Sequence, residues 1–479
     1  MTLTAGVTTL ESMLHPYPAQ TIGGYSVGYS TAYGSQAKTR SFRGRLPAGY
    51  TATKRYPLVI ALHGGRSGGE DQETMTQLSA RADRDGFIAV YPDGLGWDIV
   101  QVLGGGSGSL TSITVGGDEI LTGTVNWTTN AATTAGLLAA AVGANGYTGV
   151  AAGDFVYFAG PHGGNVQVVG TMSEFIAKLN PGWNASDQVT GFPAPSAASL
   201  AMAGCPSSYV NTDTWAERWH LPDVDFIRQL IGWVKRNASV DDQRIYIMGF
   251  SNGARMAHRC ARELSDLVAG VGCMGAGIML TNYDTNSPFR NVPARPVPLI
   301  YMHGTRDPLA YYGGEYPYPG GGGPADGDLI SYNLGNAYYL NPDETVKEYV
   351  LQAGGDPTKY SQVVLPEVNN DIYDTSMVVR RWNAPSGTDC DVELWRLINT
   401  GHTWPMLGAE NWAYVTGNWA TDINFIGRPN YQFSATDTML KFLLRHRWDS
   451  NAPVARASTA THTREATRQY VTNRAASRR

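Results

Sequence analysis

Near-continuous apolar runs recur along this chain at residues 56–63, 86–92, 244–250, 298–303 and 392–398. Runs of that length without polar alternation are the pattern of strands buried on both faces. Between and after them, residues 71–85, 224–235, 255–267, 345–351 and 436–447 carry apolar positions at helical spacing. Strand and helix in alternation predict an α/β fold, with a mostly parallel sheet covered by helices on both faces.

Residues 98–203 break this rhythm. They hold few charges, and no arginine occurs between Arg84 and Arg218. Inside the stretch, 119–128 reads as a strand, 131–142 as an alanine-rich helix, and 153–158 and 165–169 as two further strands. This predicts a small inserted β-α-β-β module, bounded by a Gly/Ser-rich linker at 104–109 and a Pro/Ala/Ser-rich one at 191–203. The expected organisation is an N-terminal extension (1–37), one α/β domain built from 38–97 and 204–447, the module at 98–203, and a polar mobile tail at 448–479. A loop rich in Tyr, Gly and Pro is expected at 311–342.

Composition narrows the function classes. The 479 residues carry a net charge of −5, with a pI near 6, which argues against a nucleic-acid footprint. No apolar run is long enough to span a membrane. The N-terminus lacks the basic and apolar regions of a signal peptide. Cys205, Cys260, Cys273 and Cys390 follow neither a zinc pattern nor a dense disulfide framework, and their pairing stays open.

The informative motif is Gly249-Phe250-Ser251-Asn252-Gly253, placed between an apolar run and a helical one. A strand, a sharp turn and a helix with serine at the apex form a nucleophile elbow. Gly-x-Ser-x-Gly also occurs around Ser67, but that serine stands several residues past its strand, in a loop. Ser251 is therefore the candidate nucleophile. It needs a base, and the base needs an orienting acid. On this sheet type the order along the chain is Ser, acid, His. His402 lies in a loop after a strand, whereas His258 and His446 lie in helices, His303 ends a strand and His462 is in the tail. Asp307, leaving the 298–303 strand, is the candidate acid, with Asp284 as the alternative. The oxyanion of an acyl-transfer intermediate needs N–H donors. Asn252 supplies one, and the loop Leu62-His63-Gly64-Gly65 the other, from Gly65 or else from Gly64 or Arg66.

With these residues goes an ordered set of further motifs: Leu46-Pro-Ala-Gly-Tyr50, Tyr91-Pro-Asp-Gly94, Val224-Asp-Phe-Ile227, His303-Gly-Thr-Arg-Asp-Pro308 and Gly401-His-Thr-Trp-Pro405. The set resembles the polyhydroxybutyrate-depolymerase/feruloyl-esterase group of α/β-hydrolases, which also holds acetyl xylan esterases. The resemblance covers about 38–97 and 204–447 and implies a Ser251/Asp307/His402 triad, with no cofactor and no metal. It departs from the group in the long segment between Trp97 and Cys205, and in Gly354-Gly355, where many relatives have a cysteine. The stretch 125–136 resembles small modules of bacteriophage virion proteins.

The expected function is a serine carboxylic-ester hydrolase working through an acyl-enzyme. Its substrates would be feruloyl or acetyl esters of a polysaccharide, or a polyester. It would act outside the cell or on a virion tail, beside other tail proteins. Trp97, Trp404, Tyr311 and Tyr312 are the candidate substrate-binding rings. The competing expectation is a virion or surface binding module on a hydrolase scaffold with little catalysis.

Overall fold

The computed structural model describes residues 3–16, 20–22, 25–27, 37–65, 67–94, 98–102, 106–115, 117–152, 154–159, 162–163, 166–173, 176–179, 223–280, 293–310, 312, 330–332, 337–367, 375–384, 390–407 and 427–448. Trp97, Cys205, Asp284, Tyr311 and nearly all of the expected C-terminal tail lie outside these residues.

The main sheet is built from β1 (Thr8–Pro16), β2 (Ala37–Arg45), β3 (Tyr56–Leu62), β4 (Ile88–Pro92), β5 (Val240–Phe250), β6 (Gly270–Met274), β7 (Leu299–Gly304), β8 (Ser361–Leu365), β9 (Met377–Trp382) and β10 (Val392–Leu397). Its order is β1-β2-β4-β3-β5-β6-β7-β10-β9-β8. The central strands from β4 to β10 run parallel, and β1, β2, β9 and β8 join antiparallel; the short strand His162–Gly163 also joins the sheet, parallel to β2. The helices are α1 (Gly69–Thr76), α2 (Leu78–Asp85), α3 (Asp223–Asn237), α4 (Asn252–Glu263), α5 (Pro342–Gln352) and α6 (Ala435–Leu443).

Strand β3 shows why the sheet needs cover on both sides. All seven of its residues are buried. Leu58, Ile60 and Leu62 join one core with Phe226 and Ile227 of α3, Ala257 of α4 and Val346 of α5. Val59 and Ala61 join a second core with Met75 and Leu78 of α1 and α2 and Met439 of α6. Side chains alternate across a strand, so an unbroken apolar run feeds two cores. This is an α/β-hydrolase fold.

The helix expected over 71–85 is two helices. Gln77 turns left-handed (φ 49°, ψ 32°) and separates α1 from α2. The Thr76 hydroxyl donates to the Gln72 carbonyl at 2.7 Å, a side-chain bond that competes with helix continuation. The N-terminal stretch is also more than an appendage, because β1 pairs with β2 from end to end.

The segment after β4 holds more strands than a β-α-β-β unit. One small sheet joins Thr148–Ala152, Phe155–Ala159, Asp98–Val102 and Ile176–Leu179; another joins Val125–Asn126, Ser109–Val115 and Val166–Gly170. The helix Ala131–Ala141 packs against them, and Val100, Ile113, Leu138 and Phe158 share a core. The strand expected over 119–128 is broken. The Glu119 carboxylate turns back to accept the N–H groups of Ile113 (3.2 Å) and Leu121 (2.9 Å), which bends the chain. Asp118–Glu119 and Val125–Asn126 pair with Ser109–Val115, and Leu121 makes a lone bridge to Val142.

Candidate active site

Ser251 sits at the apex between β5 and α4 with φ 53° and ψ −117°. A non-glycine residue there is strained and is held by its surroundings. Two glycines make the turn possible. A Cβ on Gly249 would meet the Gly253 carbonyl oxygen at 2.1 Å, and one on Gly253 would meet the Leu62 and His63 oxygens at 2.2 and 2.5 Å. The Gly-x-Ser-x-Gly spacing is thus a statement of close approach between β5, α4 and the end of β3. The Ser251 N–H donates to the Met274 carbonyl at 2.8 Å, tying the apex to β6.

His402 follows β10 by a short loop and is buried. Its Nε2 lies 2.7 Å from Ser251 Oγ, and its Nδ1 lies 2.6 Å from Asp307 Oδ2. The carboxylate orients the imidazole with Nδ1 protonated, which leaves Nε2 to accept the serine proton. Phe250 packs its ring 5.0 Å from that of His402. Gly275 lies beneath, where an added Cβ would stand 3.3 Å from His402 Cε1.

Asp307 is completely buried but fully engaged. Its Oδ1 accepts the N–H groups of Leu309 (2.9 Å) and Ala310 (2.8 Å). Burial pushes the carboxyl up, but the charge of His402 and hydrogen bonding from His303 and His402 outweigh it and hold the group below the ordinary carboxylate range. His303 is a contributor that the motif reading passed over. Its Nε2 donates to the Ala310 carbonyl at 2.6 Å and lies 3.4 Å from Asp307 Oδ2. Its Nδ1 accepts the Tyr301 hydroxyl at 2.7 Å. The spacing His-Gly-Thr-Arg-Asp was the available signal, since it returns the acid to the strand-end histidine.

The loop after β3 lies beside the apex. A Cβ on Gly64 would be 3.5 Å from Ser251 Cβ, and one on Gly65 would be 3.8 Å from Asn252 Cβ. Among the described residues nothing accepts the Gly65 N–H. Asn252 opens α4, where helix N–H groups point outward. Ser67 is engaged elsewhere, donating to Asp71 Oδ2 at 3.2 Å.

Two of the expected substrate rings are packing residues. Trp404 is buried, with Nε1 donating to Thr436 Oγ1 at 3.0 Å. Tyr312 is buried edge-on against His303 at 5.5 Å, with Arg396 over its ring. Neither offers a ring face to a ligand. An aromatic residue near a strand's carboxyl end fits either role, and sequence alone does not choose. Cys260 and Cys273 are buried thiols raised by that burial. Among the described residues no cluster of His, Cys, Asp and Glu could hold a metal, and no helix is long and apolar enough to cross a membrane.

Fold and site together define an α/β-hydrolase with a Ser-His-Asp arrangement. A model of the Phospholipase/Carboxylesterase family matches residues 224–314. The chain is similar to the NocK protein of Nocardia uniformis subsp. tsuyamanensis, named as an esterase, at 28% identity over 222 residues, which is 46% of this chain and 57% of that protein. It is similar to feruloyl esterase B of Piromyces equi at 33% identity over 92 residues, 19% of this chain and 17% of that one. The chain thus spans little more than half of the first relative and a smaller part of the second. Among solved structures, an acetyl xylan esterase from Aspergillus awamori aligns with a TM-score of 0.36 at 11% identity, covering 85% of this chain and 98% of that one.

Proposed function

We propose that this protein is a serine carboxylic-ester hydrolase. The observation that carries the reading is the His402 imidazole, which bridges Ser251 Oγ at 2.7 Å and Asp307 Oδ2 at 2.6 Å. In acylation His402 takes the Ser251 proton as Oγ attacks the ester carbonyl, then gives it to the leaving alcohol. In deacylation the same base activates water. Asp307 holds the imidazole and stabilises its charged form. The N–H groups of Asn252 and Gly65 receive the oxyanion.

The substrate class we infer is an ester-bearing polymer, with feruloyl or acetyl groups on a polysaccharide ahead of a polyester. The relatives named for feruloyl and acetylxylan esters support this choice. So does the position of the inserted segment. His162–Gly163 pairs with β2 at Thr39 and Arg40, just past the point where β4 ends against Phe42. That is the carboxyl-end side of the sheet, where Ser251 stands. Gln167 also reaches Glu70 in α1, directly after the 64–68 loop. A module there can flank a long substrate. Action outside the cell follows from a polymer substrate. The phage-tail setting rests on the 125–136 stretch alone, and binding of the purified protein to host-envelope polysaccharide tests it.

The test of the main reading is release of acid from feruloylated, acetylated and hydroxybutyrate polymers. Activity that vanishes in Ser251→Ala supports it, and hydrolysis unchanged in Ser251→Ala defeats it. Replacing 104–200 by a short Gly/Ser bridge should spare p-nitrophenyl acetate and weaken action on polymer. Equal polymer activity in that folded deletion variant removes the proposed role of the insert.

A further inference from the structure

His63 directly follows β3, is buried, and has no place in the proton transfers. Its two ring nitrogens face backbone groups on opposite sides. Nε2 lies 2.8 Å from the N–H of Gly94, a donor, so Nε2 accepts. A neutral imidazole then carries its proton on Nδ1. Nδ1 lies 2.7 Å from the Gly64 carbonyl oxygen and donates to it.

That second bond bears on the oxyanion. The carbonyl of Gly64 and the N–H of Gly65 belong to one planar, trans peptide unit, so they point in opposite directions. Fixing the carbonyl on His63 aims the Gly65 N–H away from His63. The same peptide lies against Ser251 and Asn252. We propose that His63 is a positioning residue for the oxyanion loop, holding the Gly64–Gly65 peptide so that the Gly65 N–H faces the Ser251 acyl centre. The inference rests on the esterase reading above. It makes His63 the counterpart of Asp307: one fixes the base, the other fixes the donor.

The chemistry of the ring supports a single fixed state. Burial, aided by the nearby Arg40 charge, lowers the His63 pKa to about 4, against the bond to Gly64 that favours the proton. The imidazole therefore stays neutral at working pH. A charged ring would put an Nε2–H against the Gly94 N–H and break the clamp. Gly94 lies just after β4, so one ring ties the oxyanion loop to the chain beyond the end of that strand.

Two substitutions separate the two bonds. His63→Asn can place an amide N–H where Nδ1 stands, and His63→Gln can place an amide oxygen near the position of Nε2. The expected result with p-nitrophenyl acetate is a fall in kcat of about 10²-fold for His63→Gln, the order of losing one oxyanion donor, with KM within about twofold. His63→Asn should stay within about fivefold of wild type, and affinity for a phenylboronic acid, which forms a tetrahedral adduct on Ser251, should fall in parallel with kcat. Two variants equal in kcat and boronate affinity, differing from wild type only in thermal stability, would mean a merely structural histidine and overturn the proposal. Should both variants fail to fold, the His63 tautomer in ¹⁵N-labelled wild type decides. Protonated Nδ1 supports the proposal, and protonated Nε2 overturns it. A wild type that hydrolyses no ester overturns the esterase reading and this inference with it.

Discussion

The Asp307 carboxylate divides its two oxygens between His402 and its own loop. Oδ2 takes the His402 Nδ1 hydrogen at 2.6 Å, while Oδ1 takes the Leu309 and Ala310 N–H groups. The loop bonds prevent the side chain from rotating, so the imidazole is offered one acceptor in one place. Asp307→Asn keeps the shape but can present an N–H to Nδ1, which favours the wrong tautomer. The expected outcome is a loss of about 10⁴-fold in kcat with a modest change in KM. Steady-state kinetics on p-nitrophenyl esters checks this, and a loss under tenfold would remove Asp307 from the role of acid.

The strained apex makes a prediction of opposite sign for stability and activity. Ser251 holds φ 53° without being glycine, a conformation that costs on the order of 1–3 kcal/mol. Ser251→Gly should abolish turnover and raise the unfolding free energy by about 1 kcal/mol. Ser67→Ala should leave turnover near wild type. Thermal denaturation and ester hydrolysis on the same preparations decide both.

Gly275 tests the seat of the imidazole. Its φ is +73°, and a Cβ there would crowd His402 Cε1 (3.3 Å), His402 Nδ1 (3.4 Å) and Phe250 Cε2 (3.4 Å). Gly275→Ala should displace the ring from Ser251 Oγ and lower kcat by about 10²-fold, as small misplacements do. It should also cost about 1 kcal/mol of stability for the backbone. Wild-type kcat in this variant would show that the ring has room.

Asp93 gives a pH dependence. It is buried at the end of β4, where Oδ1 accepts the Gly69 N–H and Oδ2 the Ser41 hydroxyl, both within 2.9 Å. Burial raises its pKa to about 6, beyond what these bonds recover. The ordinary value is about 3.9, so between roughly pH 4 and 6 the folded state keeps a proton that the unfolded chain has lost. Stability from this group is therefore present below about pH 4 and declines as pH rises through 6. Asp93→Asn should remove that decline, leaving a gap between variant and wild type that grows by on the order of 2 kcal/mol from pH 4 to 7. Denaturant titrations at both pH values measure it; parallel curves would contradict the assignment.

How much of this was legible differs by element. The central strands announce themselves because burial on both faces leaves no polar position, as in β3. The elbow was legible because close approach at Gly249 and Gly253 admits no other residue. His402 and Asp307 could be ranked by their place after strands. Three features left no such trace. The break at Gln77 uses a left-handed residue that is not glycine, so no turn residue marks it. The bend at Glu119 depends on a carboxylate returning to Ile113 and Leu121. β1 has one face buried at Glu11 and Met13 and the other exposed at Leu10 and Leu14, and a polar Glu on the inner face hides its alternation. For His303 the spacing to Asp307 was a signal, but the role of His63 left none: its tautomer is set by the Gly94 N–H, 31 residues away.

The neighbouring strands β3 and β5 carry a consequence for how this chain folds. Val59 lies beside Tyr246 in the middle of the sheet, yet the whole inserted segment separates them along the chain. A ribosome releases β3 long before β5 exists, so the centre of the sheet cannot close until that segment has emerged. The entropy of closing so large a loop grows only as the logarithm of its length, about 0.6 kcal/mol for each doubling. The burden is thus in time more than in equilibrium: β3, apolar on both faces, must wait. A segment that gathers around its own core, with Ile113, Leu138 and Phe158 packed together, draws its ends closer during that wait and shortens the search by which β5 finds β3.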